Sequence, residues 1–175
     1  AGAGETVIEV KRGLAEALIR DLAKPGYVPS TITIGGNTDP YQPAEKTERL
    51  TRAAIEVLTR HRHPFAIITK SALVLRDLDL IAPAAAAGLA QVAVSVTTLD
   101  AGLARAMEPR AATPGRRIDA IRGLAAAGVP VTVMAAPLVP GLTDHELEGI
   151  LAAAAEAGAV RSGWIMLRLP REIAG

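Results

Sequence analysis

Short, almost unbroken apolar runs alternate along this chain with longer segments of helical periodicity. The runs at 31–34, 65–69, 92–97, 131–136 and 164–169 read as strands, and 6–10 reads as a weaker sixth. Apolar runs without polar alternation are expected where strands are covered on both faces of a parallel sheet. Between them, Leu14, Leu18 and Leu22 recur at helical spacing, as do Leu50, Ala54, Val57 and Leu58. Further helices are expected at 72–87, 100–107, 115–127 and 143–157. Gly88, Gly128 and Gly158 each follow a helical run, where glycine ends helices. Ser71 reads as a helix cap, Thr113–Pro114 as a cap followed by a first-turn proline, and Thr143 with Glu146 as a capping box. A β-α-β-α series implies an α/β fold with right-handed crossovers. Periodicity alone leaves an open doubly wound sheet and a barrel equally available.

The 175 residues suit one domain, and half of them are apolar, enough for a core without disulfide or metal. No apolar run is long enough for a membrane helix and no secretory signal opens the chain, so a cytoplasmic protein with no membrane partner is expected. The formal charge of +1 carries no polyanion signature, and 2% aromatic residues are too few for a base-stacking platform. Cysteine is absent, which removes thiol nucleophiles and thiolate metal sites from these residues. Beginning at Ala1 without an initiator methionine, the chain reads as an excerpt of a longer protein.

In open α/β sheets and in barrels, ligands sit at the carboxyl ends of the strands. There the sequence places Gly35-Gly36-Asn37-Thr38-Asp39-Pro40-Tyr41, then Thr69-Lys70-Ser71, then Ser95, Thr97, Thr98 and Asp100, then Pro137 to Asp144, and finally Arg168 with Pro170-Arg171. The opposite ends hold the turn residues Pro29, Pro64 and Pro130. One polar site on one rim is the expectation. His61-Arg62-His63 precedes its strand and so lies on the wrong rim for a metal site there. Between 105 and 122, five arginines face Glu108 and Asp119, a local excess suited to carboxylate or phosphate, or simply to a solvated helix face. Neither a Walker A loop nor G-x-G-x-x-G occurs.

Taken in order, Gly35 to Pro43, Thr69-Lys70-Ser71, Ser95 to Asp100, Glu108-Pro109-Arg110 with Arg117-Ile118, and Ala136-Pro137 with Pro140-Gly141 resemble the radical S-adenosylmethionine (SAM) proteins, in the branch related to spore photoproduct lyase. The resemblance runs from about Glu5 to Arg171. It implies a partial (β/α)6 barrel of parallel strands with outer helices, in which the first strand and its cluster loop are missing. It implies one domain, 1–175, lying downstream of that loop. It implies that Gly35, Gly36, Asn37, Thr38 and Asp39 meet the SAM amino group, and that Lys70 faces the same cavity. Ser95 and Thr97 would contact ribose or carboxylate, and Glu108 and Arg117 would stand where a carboxylate contact is made. Ala136 and Pro137 would pack by the adenine, and Trp164 to Leu167 would read its edge. The implied cofactors are SAM and, in the longer parent, a 4Fe-4S cluster on a C-x-x-x-C-x-x-C loop. The implied reaction is reductive cleavage of SAM to a 5′-deoxyadenosyl radical that abstracts hydrogen, in DNA photoproduct repair or a related lyase reaction. Implied partners are a nucleic-acid substrate and an electron donor such as flavodoxin or ferredoxin. Without cysteine, these residues alone are expected to be inactive. The alternatives are a cluster-free domain that binds a small ligand or a partner, and a barrel enzyme using Lys70 as a Schiff-base lysine.

Overall fold

The computed structural model describes residues 13–167. Five strands, β1 (Ile32–Ile34), β2 (Phe65–Thr69), β3 (Ala90–Ser95), β4 (Val131–Leu138) and β5 (Arg161–Met166), form one sheet in the order β1-β2-β3-β4-β5. All four pairings are parallel. Each strand therefore lies beside its neighbours in sequence. Right-handed crossovers that always step in one direction put every helix on one side of the sheet. That is the wall of a partial barrel, and a doubly wound sheet, whose order must reverse, is excluded.

The helices follow in chain order: α1 (Leu14–Leu22), α2 (Glu45–Glu48), α3 (Leu50–Arg60), α4 (Leu78–Ala86), α5 (Ala101–Met107), α6 (Pro114–Ala126) and α7 (Leu147–Glu156). Two 3-10 turns, Ala72–Asp77 and Asp144–Glu146, precede α4 and α7. Ser71 caps the first of these by accepting from Leu73 N at 3.2 Å. Asp100 caps α5 by accepting from Leu103 N at 2.6 Å.

Burial alternates along the central strands, which differs from the expectation of strands covered on both faces. Phe65 and Ile67 of β2, Val92 and Val94 of β3, and Val131 and Val133 of β4 are fully buried against the helices. There they meet Ile55 and Leu58 of α3, Ile81 of α4, Ile121 and Leu124 of α6, and Ile150 of α7. Each such side chain contributes about 1.5–3 kcal/mol by leaving water. The residues between them, Ala66, Ile68, Ala93 and Met134, are only half-buried. They form the concave face, and two of the four are alanine. The apolar runs mislead here because a concave wall must be apolar without being filled.

Boundaries also moved. β3 begins two residues before the expected start, β4 runs on through Pro137 to Leu138 past a bulge after Ala135, and β5 begins at Arg161 rather than 164. Among the described residues β5 lies at the edge of the sheet, and its Trp164, Ile165 and Met166 stay largely exposed. The expected strand at 6–10 and residues 168–169 lie outside the described residues.

Candidate functional site

The loop after β1 is pressed against the end of β2. Gly35 has φ +97°, and a Cβ there would lie 2.2 Å from the Ile68 carbonyl oxygen. Only glycine accepts both the left-handed backbone and that approach. Asp39 then ties the loop down. Its carboxylate accepts from Tyr41 N (2.8 Å), Thr69 Oγ1 (2.8 Å) and Lys70 N (2.6 Å). Three of its acceptor positions are therefore taken up within the chain. The exposed part of the loop is Gly36, Asn37 and Thr38.

Lys70, fixed by this anchor, ion-pairs through Nζ with Glu108 Oε1. The other oxygen, Glu108 Oε2, accepts from Arg117 Nη2 at 2.7 Å and, more distantly, from Thr97 Oγ1 at 3.4 Å. Arg117 is 1% exposed. It also donates from Nε to Ala112 O (2.8 Å) and from Nη1 to Ser95 O (3.1 Å). Thus β2, β3, the α5–α6 loop and α6 meet at one carboxylate. Burial pushes the Glu108 carboxyl up, but the hydrogen bonds from Lys70 and Arg117 prevail and hold it below the usual carboxylate range. The side chain is an anion at neutral pH, flanked by two cations. Lys70 keeps about a third of its surface in solvent (32%), so it is the member a ligand can reach.

The structure thus brings Asp39, Lys70, Ser95, Thr97, Glu108 and Arg117 together. Gly35 is a backbone packing position, whereas Gly36, Asn37 and Thr38 stand open beside the cluster. Ala136 and Pro137 form the end of β4 and are half-buried. Trp164 pairs in register with Ala135, a helix-side residue, and remains 61% exposed. Leu167 joins the sheet by its N–H to Leu138 O at 2.8 Å.

Sequence reasoning missed two groups that support this rim. Tyr41 and Asp77 are buried and bonded to each other at 3.1 Å, and Asp77 also accepts from Arg52 and Arg76. Burial, then the Asp77 charge, pushes the Tyr41 phenol far above its ordinary range. The second group is Glu146. It does not complete a capping box: neither it nor Thr143 makes a side-chain cap bond. Instead it accepts from Thr98 Oγ1 (2.5 Å) and Leu99 N (2.7 Å). Neither pairing has a short-range signature in the sequence. A cavity of about 280 Å³ lies at the other rim, among Pro64, Ala90 and Pro130. Its one charged side chain, Arg161, is bonded to Gln91, so the chemistry lies with the carboxyl ends instead.

The profile of the Radical SAM superfamily matches residues 5–154. This chain belongs to the radical SAM superfamily. An uncharacterised protein of Mycobacterium tuberculosis is 37% identical over 181 residues, spanning 95% of this chain and 53% of the relative. An uncharacterised protein of Methanocaldococcus jannaschii is 31% identical over 126 residues, spanning 72% and 47%. The chain therefore spans about half the length of the curated relatives it matches. In fold it resembles Streptococcus suis SuiB bound to S-adenosylmethionine (TM-score 0.67, 13% identity, covering 95% of this chain and 36% of SuiB). It also resembles a variant spore photoproduct lyase with bound AdoMet and dinucleoside spore photoproduct (TM-score 0.65, 15% identity, covering 91% and 47%). These likenesses place the open parallel sheet among radical SAM folds.

Proposed function

We propose that these residues are the SAM-binding part of a radical SAM enzyme. One observation carries the reading: a radical SAM chain gathers Lys70, Glu108 and Arg117 around a single carboxylate at the carboxyl rim, beside the open Gly36–Thr38 loop. The donor set fits an amino acid end. Two cations and one anion leave one positive charge in excess for a carboxylate, and Glu108 offers an acceptor for an ammonium. Lys70 would hold the carboxylate directly, with Arg117 behind it fixing Glu108. Thr97, with its hydroxyl already turned into the cluster, would meet the sugar. The half-buried end of β4, Ala136-Pro137, would give the purine an apolar wall, and β5 would present backbone.

With a reduced 4Fe-4S cluster, bound SAM would supply hydrogen abstraction. Such clusters are held by thiolates, and the chain has no cysteine. These residues do not fit the cluster, and no step through it falls to them. The protein's part here is to bind SAM, orient it and keep water out. For the substrate, the reading is a lyase reaction on damaged DNA, with electrons from a flavodoxin or ferredoxin. The likeness to spore photoproduct lyase and the exposed Arg105, Arg110 and Arg116 beside the rim support it.

Equilibrium dialysis of the intact protein against labelled SAM tests the first reading. Saturable binding, weakened about tenfold or more by Lys70→Ala, is expected. Absence of binding, or binding indifferent to Lys70, would overturn it in favour of a domain that takes another ligand. DNA binding that weakens steeply with salt is expected for the substrate; a flat salt dependence would remove it.

A further inference from the structure

We infer that Glu146 is a positioning residue that clamps the segment after β3 to the loop after β4 and so preforms the rim that carries Thr97. The inference rests on the SAM reading above and deepens it. Both carboxylate oxygens are engaged across the gap between the two loops, one by the Thr98 hydroxyl and one by the Leu99 N–H. Thr98 is 1% exposed, and its hydroxyl oxygen in turn accepts from Asp100 N at 3.0 Å. Leu99 also rests over α7, where its Cδ1 lies 3.6 Å from the position of a Cβ on Gly149.

The anchor end is stiff. Glu146 N donates to Thr143 O (3.1 Å), and Thr143 is fully buried. Thr143 Oγ1 accepts from Val139 N and its own N–H returns to Val139 O, both at 2.9 Å. Asp144 closes the same turn by accepting from Gly141 N at 2.9 Å. At the other end of the clamped segment, Arg117 holds Ser95 O, Val96 N donates to Met134 O at 2.9 Å, and Thr97 meets Glu108. Residues 95–99 are thus fixed from both sides, and Glu146 supplies the side that faces β4. A segment already ordered spares the ligand the cost of ordering it. Release of the clamp leaves Thr98 and Leu99 without their acceptor and frees Thr97 to leave the cluster.

A helix-dipole role for Glu146 at the start of α7 is the competing account. Glu148, in the first turn of the same helix and exposed, shares that role without the clamp. The experiment is calorimetric titration of SAM into the intact protein and its variants Glu146→Ala, Thr98→Val, the double substitution and Glu148→Ala, with thermal unfolding alongside. Glu146→Ala is expected to weaken SAM about tenfold, and Thr98→Val, which keeps the Leu99 bond, by less but measurably, about threefold. The double variant is expected to be no weaker than Glu146→Ala alone, because the Thr98 bond is already lost there, while Thr98→Val keeps the bond from Leu99 N. Glu148→Ala is expected to bind as the native protein does. Native SAM affinity in Glu146→Ala, additive losses in the double variant, or equal losses in Glu148→Ala would overturn the inference. If Glu146→Ala does not fold, Thr98→Val decides by the same comparison. Failure of the native protein to bind SAM is visible before any variant is made; it removes the SAM reading itself and this inference with it.

Discussion

Removing Glu108 is expected to cost far more stability than removing Lys70, although the two form one ion pair. The difference lies in what each leaves behind. Without Glu108, Arg117 stays buried at 1% exposure and its Nη2 loses its acceptor. Breaking a buried pair in this way typically costs about 3–5 kcal/mol. Here Glu108 retains 18% of its surface, so water can enter, and Arg117 keeps its two carbonyl acceptors. That reduces the expected loss for Glu108→Ala to roughly 2–3 kcal/mol. For a chain of this length that is a fall in Tm of roughly 4–12 °C. Lys70→Ala leaves a carboxylate still bonded to Arg117 and reachable by solvent, so it should cost under about 1 kcal/mol. Urea unfolding followed by circular dichroism measures both. The combination Glu108→Ala with Arg117→Met removes the stranded charge but also the bonds to Ala112 O and Ser95 O, so it should cost less than the sum of the two single losses. Equal costs for Lys70→Ala and Glu108→Ala, or a double variant whose losses simply add, would refute the reasoning.

Further outcomes follow from single features. Gly35→Ala combines a left-handed φ with a 2.2 Å approach to the Ile68 oxygen and should destabilise by at least about 2 kcal/mol in the same unfolding assay. Arg49, exposed and at φ 51° between α2 and α3, is the converse case: Arg49→Gly should raise stability by up to about 1 kcal/mol. The lowered Glu108 carboxyl makes stability depend on pH. Its contribution is complete above the ordinary carboxylate range, near pH 4.3, and is lost as pH falls through the lower folded value. Below about pH 4.3 the native protein should therefore lose stability more steeply than Glu108→Gln in an acid titration of the unfolding free energy.

The strands, the parallel α/β class and the rim that bears the polar residues were legible because they depend on local pattern. Residues 65–69 read as a strand, and they are one. The strand order was not legible in the apolar runs, which carry no label for their neighbours; the partial barrel was expected from the family resemblance, and the register of Val92 beside Val131 bears it out. The half-open concave face was hidden for a related reason, because Ala66 and Ala93 look the same whether filled over or left bare. In the site, Gly35 announced a close backbone approach, but the surface it meets is Ile68 of the chain itself. Glu146 shows the limit most clearly. Its spacing from Thr143 suggested a local cap, while its real partners, Thr98 and Leu99, lie on a loop far back in the sequence. Spacing reports only contacts that helical or turn geometry makes periodic.

The strictly sequential sheet has a bearing on how the chain acquires its structure. Among the described strands none waits for a distant partner, since the widest step in the ladder runs only from Val92 to Val131. Each new strand-and-helix unit can dock on the one made just before it, so loop-closure entropy is met in modest, similar instalments. Growth in one direction suits a polypeptide leaving the ribosome amino end first. Damage should travel the same way: a weakened β3 would part the sheet into two pieces, whereas a weakened β5 would peel away and leave β1 to β4 paired.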